Sequence, residues 1–371
     1  MNKVGQLPPT FFAPTVNSKC KIRERKSNRS QPEVVKWLSI ALTITVPNVA
    51  QDFFPLDKRW GIMGRSTSDG LTQEMVRLVG MMPYTHASRT LSRLAQVEIP
   101  ATTLWEHTQR EGERLETAQR TRETRTGVER TRWQDGQYDA RLYRTISMDG
   151  GMVHIRGEGW KEMKVGLISG VRHQWDQDQH KIKLIDMDFT AIIGTVDQFK
   201  DAMWELAVRH DVLYAGRTAV TADGAHWIWR LAYDLFPVST QIVDWYHARQ
   251  HLWQAATSLH HDIISQMNWY EKMSKVLFAG EIWKIILTLQ QAQCDDEITY
   301  FVTHQRRMQY TAFRADGFPI GSGGVESGIK QFKQRLCGAG MRWSRTGAER
   351  MVVIRNAVMT DTLDVFWQAA A

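Results

Sequence analysis

Three acids stand where metal-dependent chemistry would need them. Asp149 and Asp223 each close an apolar, strand-like stretch and are each followed by glycine, in Ser147-Met148-Asp149-Gly150-Gly151 and Thr221-Ala222-Asp223-Gly224. Glu326 opens a helix behind the glycine-rich segment Gly321-Ser322-Gly323-Gly324. In open α/β sheets, ligand sites gather at the carboxyl ends of strands. Carboxylates are hard oxygen donors suited to Mg²⁺ or Mn²⁺. Three of them packed together repel unless a proton or a cation intervenes. Two metal ions about 4 Å apart would clamp the attacking and leaving oxygens of a phosphoryl centre. Taken singly, each acid reads as structural, since Asp-Gly after a strand is above all a turn signal. Their order among strands and helices is what singles them out.

The elements that must position these acids follow from hydrophobic spacing. Residues 1–57 carry Pro8, Pro9 and Pro14 and a basic cluster from Lys19 to Arg29, and read as an irregular N-terminal arm. Residues 58–112 read as a helical domain. Leu71, Met75, Leu78, Val79 and Met82 recur at helical spacing, a second helix fits residues 87–94, and a third starts after Pro100. Short helices joined by tight turns can form a helix-turn-helix with Thr102 and Thr103 on its reading helix. Residues 109–133 are dense in Arg and Glu and read as a solvated helix or connector, part of a charged connector over residues 113–142.

From residue 143 the pattern turns to strands at 145–148, 164–171, 181–188, 218–222 and 240–243, with helices at 196–210 and 227–235. Three meandering strands, then helix, strand, helix, strand, describe a mixed sheet in an α/β domain over residues 143–248. Residues 249–312 read as wholly helical and interrupt that pattern. Residues 313–371 supply the Glu326 helix and a basic C-terminal helix.

These strings resemble a known family. Ser147 to Gly151 with His154 to Glu162, Thr221 to Ala225, Ile242-Val243-Asp244-Trp245-Tyr246-His247, Gly321 to Gly328 and Gly338 to Ser344 are similar, as an ordered set, to the ISKra-type bacterial insertion-sequence transposases. The resemblance covers roughly residues 70–359. It implies a DDE transposase with an RNase H-like catalytic sheet, interrupted by a helical insertion and preceded by a helical DNA-binding domain. Asp149, Asp223 and Glu326 match the three catalytic, metal-binding acids, and a two-metal site for Mg²⁺ or Mn²⁺ is implied. Asp244-Trp245-Tyr246-His247 looks like the Cys/Asp-x-x-His motif of Mutator-like and hAT-like relatives. That likeness makes Asp244, Trp245 and His247 expected neighbours of the active site. The implied partner is DNA, both the element's terminal inverted repeats and its target, held by a homodimer or a larger assembly. A non-catalytic DNA-binding remnant acting through the helical domain is the alternative.

Lys330, Lys333, Arg335, Arg342 and Arg345 follow Glu326 and are candidate phosphate contacts. Lys and Arg total 47 against 40 acids, a net charge of +7 that draws the chain toward polyanions. Three widely separated cysteines with no CxxC pair indicate neither a disulfide framework nor a cysteine-rich zinc site. The apolar run 34–46 is broken by Lys36 and falls short of the roughly 20 residues of a membrane span, so a cytoplasmic protein is expected. Two other motifs carry chemistry elsewhere. Asp186-Met187-Asp188-Phe189-Thr190 matches the nucleophile motif of haloacid-dehalogenase-like phosphatases, although that fold carries it near the start of the chain. His247 and His251 stand one helical turn apart, as zinc ligands do, but without a third ligand in the sequence.

Overall fold

The computed structural model describes residues 21–24, 42–45, 67–129, 139–176, 179–292 and 295–369. The chain divides into two compact units, residues 1–74 and 75–371. In the first, β1 (Lys21–Glu24) pairs antiparallel with β2 (Leu42–Thr45), where the sequence predicts irregular chain. The remainder of the basic arm lies outside the described residues.

The second unit is built on a five-stranded mixed sheet. β3 (Asp139–Ile155), β4 (Gly159–Asp176) and β5 (Gln179–Ile192) form an antiparallel meander. α4 (Val196–Arg209) then carries the chain over to β6 (Ala215–Ala222), parallel to β3. α5 (His226–Leu235) leads to β7 (Thr240–Val243), parallel to β6, and the strand order is β5-β4-β3-β6-β7. Strand periodicity sorts the side chains between two cores. Ile146, Met148 and Ile168 face α4 and α5, whereas Val153, Ile155, Met163, Val165 and Leu167 face α11 (Gly323–Leu336) and α12 (Arg345–Met359). α4 shows how its own sequence makes it. Thr195 and Gln198 form a reciprocal capping box, and Phe199, Ala202, Met203 and Leu206 are buried at helical spacing.

Between β7 and α11 run α6 (Trp245–Leu259), α7 (Ile263–Phe278), α8 (Ile282–Gln291), α9 (Asp295–His304) and α10 (Tyr310–Ala315). Leu252, Leu277, Ile285, Phe301 and Tyr310 join the α4–α5 core, so these helices share one hydrophobic interior with the sheet. Among the described residues, no helix is long and apolar enough to cross a membrane.

α1 (Asp69–Met81) and α2 (Tyr84–Ala95) occur where the spacing predicts them. The third helix does not stop where expected. α3 (Ala101–Glu129) runs unbroken through the expected boundary at residue 112 and most of the expected connector. Its charge density conceals a buried face. Glu111 is 3% exposed and paired with Arg110 at 3.0 Å and Arg114 at 3.2 Å, and Leu115 is 4% exposed. Gly112 lets α12 approach, since a Cβ there would lie 2.7 Å from that of Arg350. A charged residue that buries its stem and pairs its head is invisible to a reading based on polarity.

Candidate active site

Register alone brings three acids into a row. Ser147 pairs with Thr221, and Ala222 with Val243, so Asp149, Asp223 and Asp244 occupy one level of three neighbouring parallel strands or their continuations. Such strands lie about 4.8 Å apart. Glu326 comes from α11, whose Ile329 and Phe332 pack onto the face of the sheet that bears Asp149.

Asp149 is not at a strand end, as the sequence predicts, but inside β3, which continues to Ile155. The glycines after it are ladder residues rather than a turn, paired with Lys164 and Met163. They leave space: a Cβ on Gly150 would lie 2.4 Å from Glu162 Oε1, and one on Gly151 would lie 3.1 Å from Ile329 Cγ2. Asp223, by contrast, does begin a turn. Its Oδ1 accepts from the Ala225 N–H at 3.0 Å, and Gly224 has a φ of +119° that a side chain would resist.

Burial, with the charges of Asp223 and Glu326 added, pushes Asp149 up to about 6. The Gly150 N–H, 2.6 Å away, and His247 oppose this shift. Proximity of the three acids is therefore felt as repulsion. Asp244, His247 and Glu326 bring one ligand atom each within 4.8 Å of one another, close enough to share a metal ion. Two polar atoms nearby, Thr221 Oγ1 and Tyr300 Oη, are buried with no hydrogen-bond partner among the described residues. Hard oxygen donors, an imidazole and unpaired buried hydroxyls together suit a divalent cation and its water.

Asp244 is fully buried and works as a brace. Its Oδ1 accepts from the His247 N–H at 2.8 Å and caps α6, and its Oδ2 accepts from the Ser322 N–H. Its own N–H donates to the Ala222 carbonyl at 2.8 Å. Ser322 Oγ in turn donates to Glu326 Oε1 at 3.2 Å. Trp245 faces elsewhere, edge-on to Tyr310 at 4.9 Å and to Phe278 at 5.4 Å.

Sequence reasoning missed Tyr300 and His304. A Cβ on Gly224 would lie 3.3 Å from both Tyr300 Cε2 and His304 Nε2. Burial, then the charges of Asp223, Asp244 and Glu297, raise the Tyr300 phenol and keep it protonated. Burial and the neighbouring Arg307 lower His304 to about 4. The ordinary value is 6.5, so between pH 6.5 and 4 the unfolded chain takes up a proton that the folded chain refuses, and His304 costs stability as pH falls. Thermal melts of metal-free wild type and His304→Gln at pH 7 and pH 4 should show any wild-type advantage shrinking toward pH 4. An advantage that does not change with pH would contradict the assignment.

The candidate phosphate contacts divide by helical phase. Lys330 and Lys333 are exposed, one and two turns beyond Glu326 on its side of α11. Arg342 is exposed, and Arg345 pairs with Glu158 and Glu349. Arg335 is corrected: nine residues past Glu326, it lies about 180° around the helix. It is 2% exposed, donates from Nε to the Val79 carbonyl and lies over the rings of Tyr84 and Trp343 at 5.3 and 5.1 Å. Removing it as Arg335→Ala should lower the unfolding free energy by about 2 kcal/mol, while Lys330→Ala should stay within about 0.5 kcal/mol of wild type. Denaturant titration separates the two, and equal stabilities would restore Arg335 as a surface group.

Thr102 is exposed and Thr103 half-buried on the first turn of α3. The two other motifs resolve into structure. Asp186 has a φ of +50° at a bulge between β4 and β5, and Asp188 pairs with Arg209 and with His210, 2.9 Å away. His251 stacks on Tyr300 at 3.5 Å and pairs with Glu297 at 2.8 Å, apart from the group that holds His247. No family model and no curated protein matches this chain.

Proposed function

We propose that the chain is a DDE transposase of the ISKra type, cleaving and joining DNA strands at an RNase H-like sheet. One observation carries this reading. Asp149 on β3 and Asp223 just past the end of β6 stand at one level of adjacent parallel strands in a sheet ordered β5-β4-β3-β6-β7, and Glu326 comes from a late helix packed on that face. The helices α6 to α10, inserted between Asp223 and Glu326, support the same reading.

Asp149, Asp223 and Glu326 would hold the metal; of these, Glu326 belongs to the group that, with Asp244 and His247, brings ligand atoms within 4.8 Å of one another. Mg²⁺ or Mn²⁺, when bound, supplies positive charge to the attacking and leaving oxygens of an in-line displacement. Water attacks the phosphorus at the element's end, and the departing 3′-oxygen takes up a proton. The freed 3′-hydroxyl then attacks a phosphate of target DNA and releases a 3′-hydroxyl there. Lys330, Lys333 and Arg342, all exposed, would contact backbone phosphates, and Thr102 and Thr103 would read bases. Two element ends must be held together, which calls for two copies of the chain.

The test incubates the full chain and Mg²⁺ with duplexes carrying the DNA that flanks its gene. Strand release ending in a 3′-hydroxyl is expected, lost with EDTA. Specific binding of those duplexes without any cleavage would support the non-catalytic reading instead.

A further inference from the structure

We propose that a groove beside the carboxylate site binds an unpaired nucleobase of a DNA strand. The groove, about 420 Å³, is lined by Tyr246, Arg249, Gln250, Trp253, Gln254 and Tyr270. All but Tyr270 lie on α6, whose N-terminal cap is Asp244; Tyr270 comes from α7.

Three kinds of chemistry converge there. The first is aromatic. Tyr246 is 62% exposed, and Trp253 meets Tyr270 edge-on with centroids 5.4 Å apart. The second is a planar cation held in place. The Arg249 guanidinium lies 4.9 Å from the Tyr270 ring centre and 5.7 Å from that of Trp245. Its Nε is buried without a hydrogen-bond partner among the described residues. The third is a pair of exposed carboxamides, Gln250 and Gln254, one helical turn apart. Each offers a donor and an acceptor side by side, the pattern that matches the edge of a base.

No carboxylate is among the lining residues, so the groove itself sets no negative charge against a polyanion. One cation is too few for a site that grips phosphates alone, and a guanidinium with two carboxamides among six lining side chains suits an apolar protein segment poorly. A flat heterocycle with polar edges uses every group present: rings to stack on, a guanidinium beside them and amides at the rim. Position makes the strand the source of that base. Tyr246 Cε2 would lie 3.4 Å from a Cβ on Gly321, at the turn that leads through Ser322 to Glu326. A nucleotide leaving the carboxylates thus meets the groove directly.

The proposal rests on the reading of the site as one that handles DNA, but its test requires no cleavage. The full chain, in EDTA, is titrated against a short single-stranded oligothymidylate and against an abasic strand of equal length, with anisotropy as the readout. The base-bearing strand should bind about fivefold tighter or more, since each stacked base adds at least about that factor. Trp253→Ala, and the exposed double variant Gln250→Ala/Gln254→Ala, should bring the ratio toward one and leave affinity for the abasic strand unchanged. Should Trp253→Ala melt early, Tyr246→Ala replaces it, because that ring is largely exposed. Equal affinity of wild type for the two strands, or an undiminished ratio in the variants, overturns the proposal. A chain that prefers bases but never cuts DNA keeps this inference and loses the catalytic one. A chain that cuts without the preference does the reverse.

Discussion

Asp149→Asn should lower DNA strand cleavage on the order of 10³-fold while making the metal-free protein melt about 2 °C higher at pH 7 to 8. The two effects share a cause. Burial, with Asp223 and Glu326 nearby, raises Asp149 from 3.8 to about 6. Below pH 3.8 the carboxyl is neutral in both the folded and the unfolded chain. Between pH 3.8 and 6 the unfolded chain ionises first, and stability falls as pH rises. Above about pH 6 that loss is complete, and the folded protein carries a carboxylate it would be more stable without. Asparagine keeps the shape and the acceptor from Gly150 and drops the charge. Solvent at this half-buried position screens part of the gain, which keeps the expected shift small. Adding Mg²⁺ should raise the melting temperature of wild type and barely move that of the variant, because an ion binds only the native carboxylates. Wild-type cleavage by Asp149→Asn would remove this residue from the catalytic set. A lower melting temperature without metal would remove the repulsion from the site.

The row of acids was legible in the sequence because it depends on local signals: an apolar strand, then an acid, repeated at 149 and 223. The strands and most helices were legible for the same reason, since period-2 and helical apolar spacing reflect which face is buried. Legibility failed wherever a signal has two physical causes. Asp-Gly-Gly at 149–151 reads as a turn, but the glycines are there because Glu162 and Ile329 crowd the strand. Arg335 reads as one more cation in a basic stretch, and only the phase of α11 reveals that it points inward. The Arg- and Glu-rich residues after 109 read as a solvated helix or connector, and the buried face of that helix stays hidden because pairing with Arg110 and Arg114, which lets Glu111 be buried, leaves no apolar signature. Tyr300 and His304 meet Gly224 from about 80 residues further along the chain, a contact that no local pattern encodes. Asp244 was found only through a family likeness, which supplied its location but not its task.

That task makes Asp244→Ala the second large effect, opposite in sign on stability. The Asp244 carboxylate is buried between three parts of the chain. It holds the first turn of α6 through His247 and the turn before α11 through Ser322, while the backbone N–H of the same residue donates to the Ala222 carbonyl at the end of β6. Alanine would strand two buried N–H donors, each costing about 1–3 kcal/mol, and lose a helix cap worth about 1 kcal/mol that overlaps with the first of these. A loss of roughly 3 kcal/mol follows, read as a lower denaturant midpoint at unchanged slope. Cleavage should fall with it, because Ser322 also donates to Glu326 and the turn that sets that acid would be loosened. Asp244→Asn retains one carbonyl oxygen and should recover about half of the stability, since one of the two N–H groups regains its acceptor. Asp244 also stands within the group that can share a metal with His247 and Glu326, and stability separates the two roles. A brace lost destabilises the metal-free protein, whereas a repelling ligand lost stabilises it, as at Asp149. If Asp244→Ala instead melts at or above wild type without metal and loses only the stabilisation by Mg²⁺, the residue is a ligand first, and the turn at Ser322 is held by other contacts.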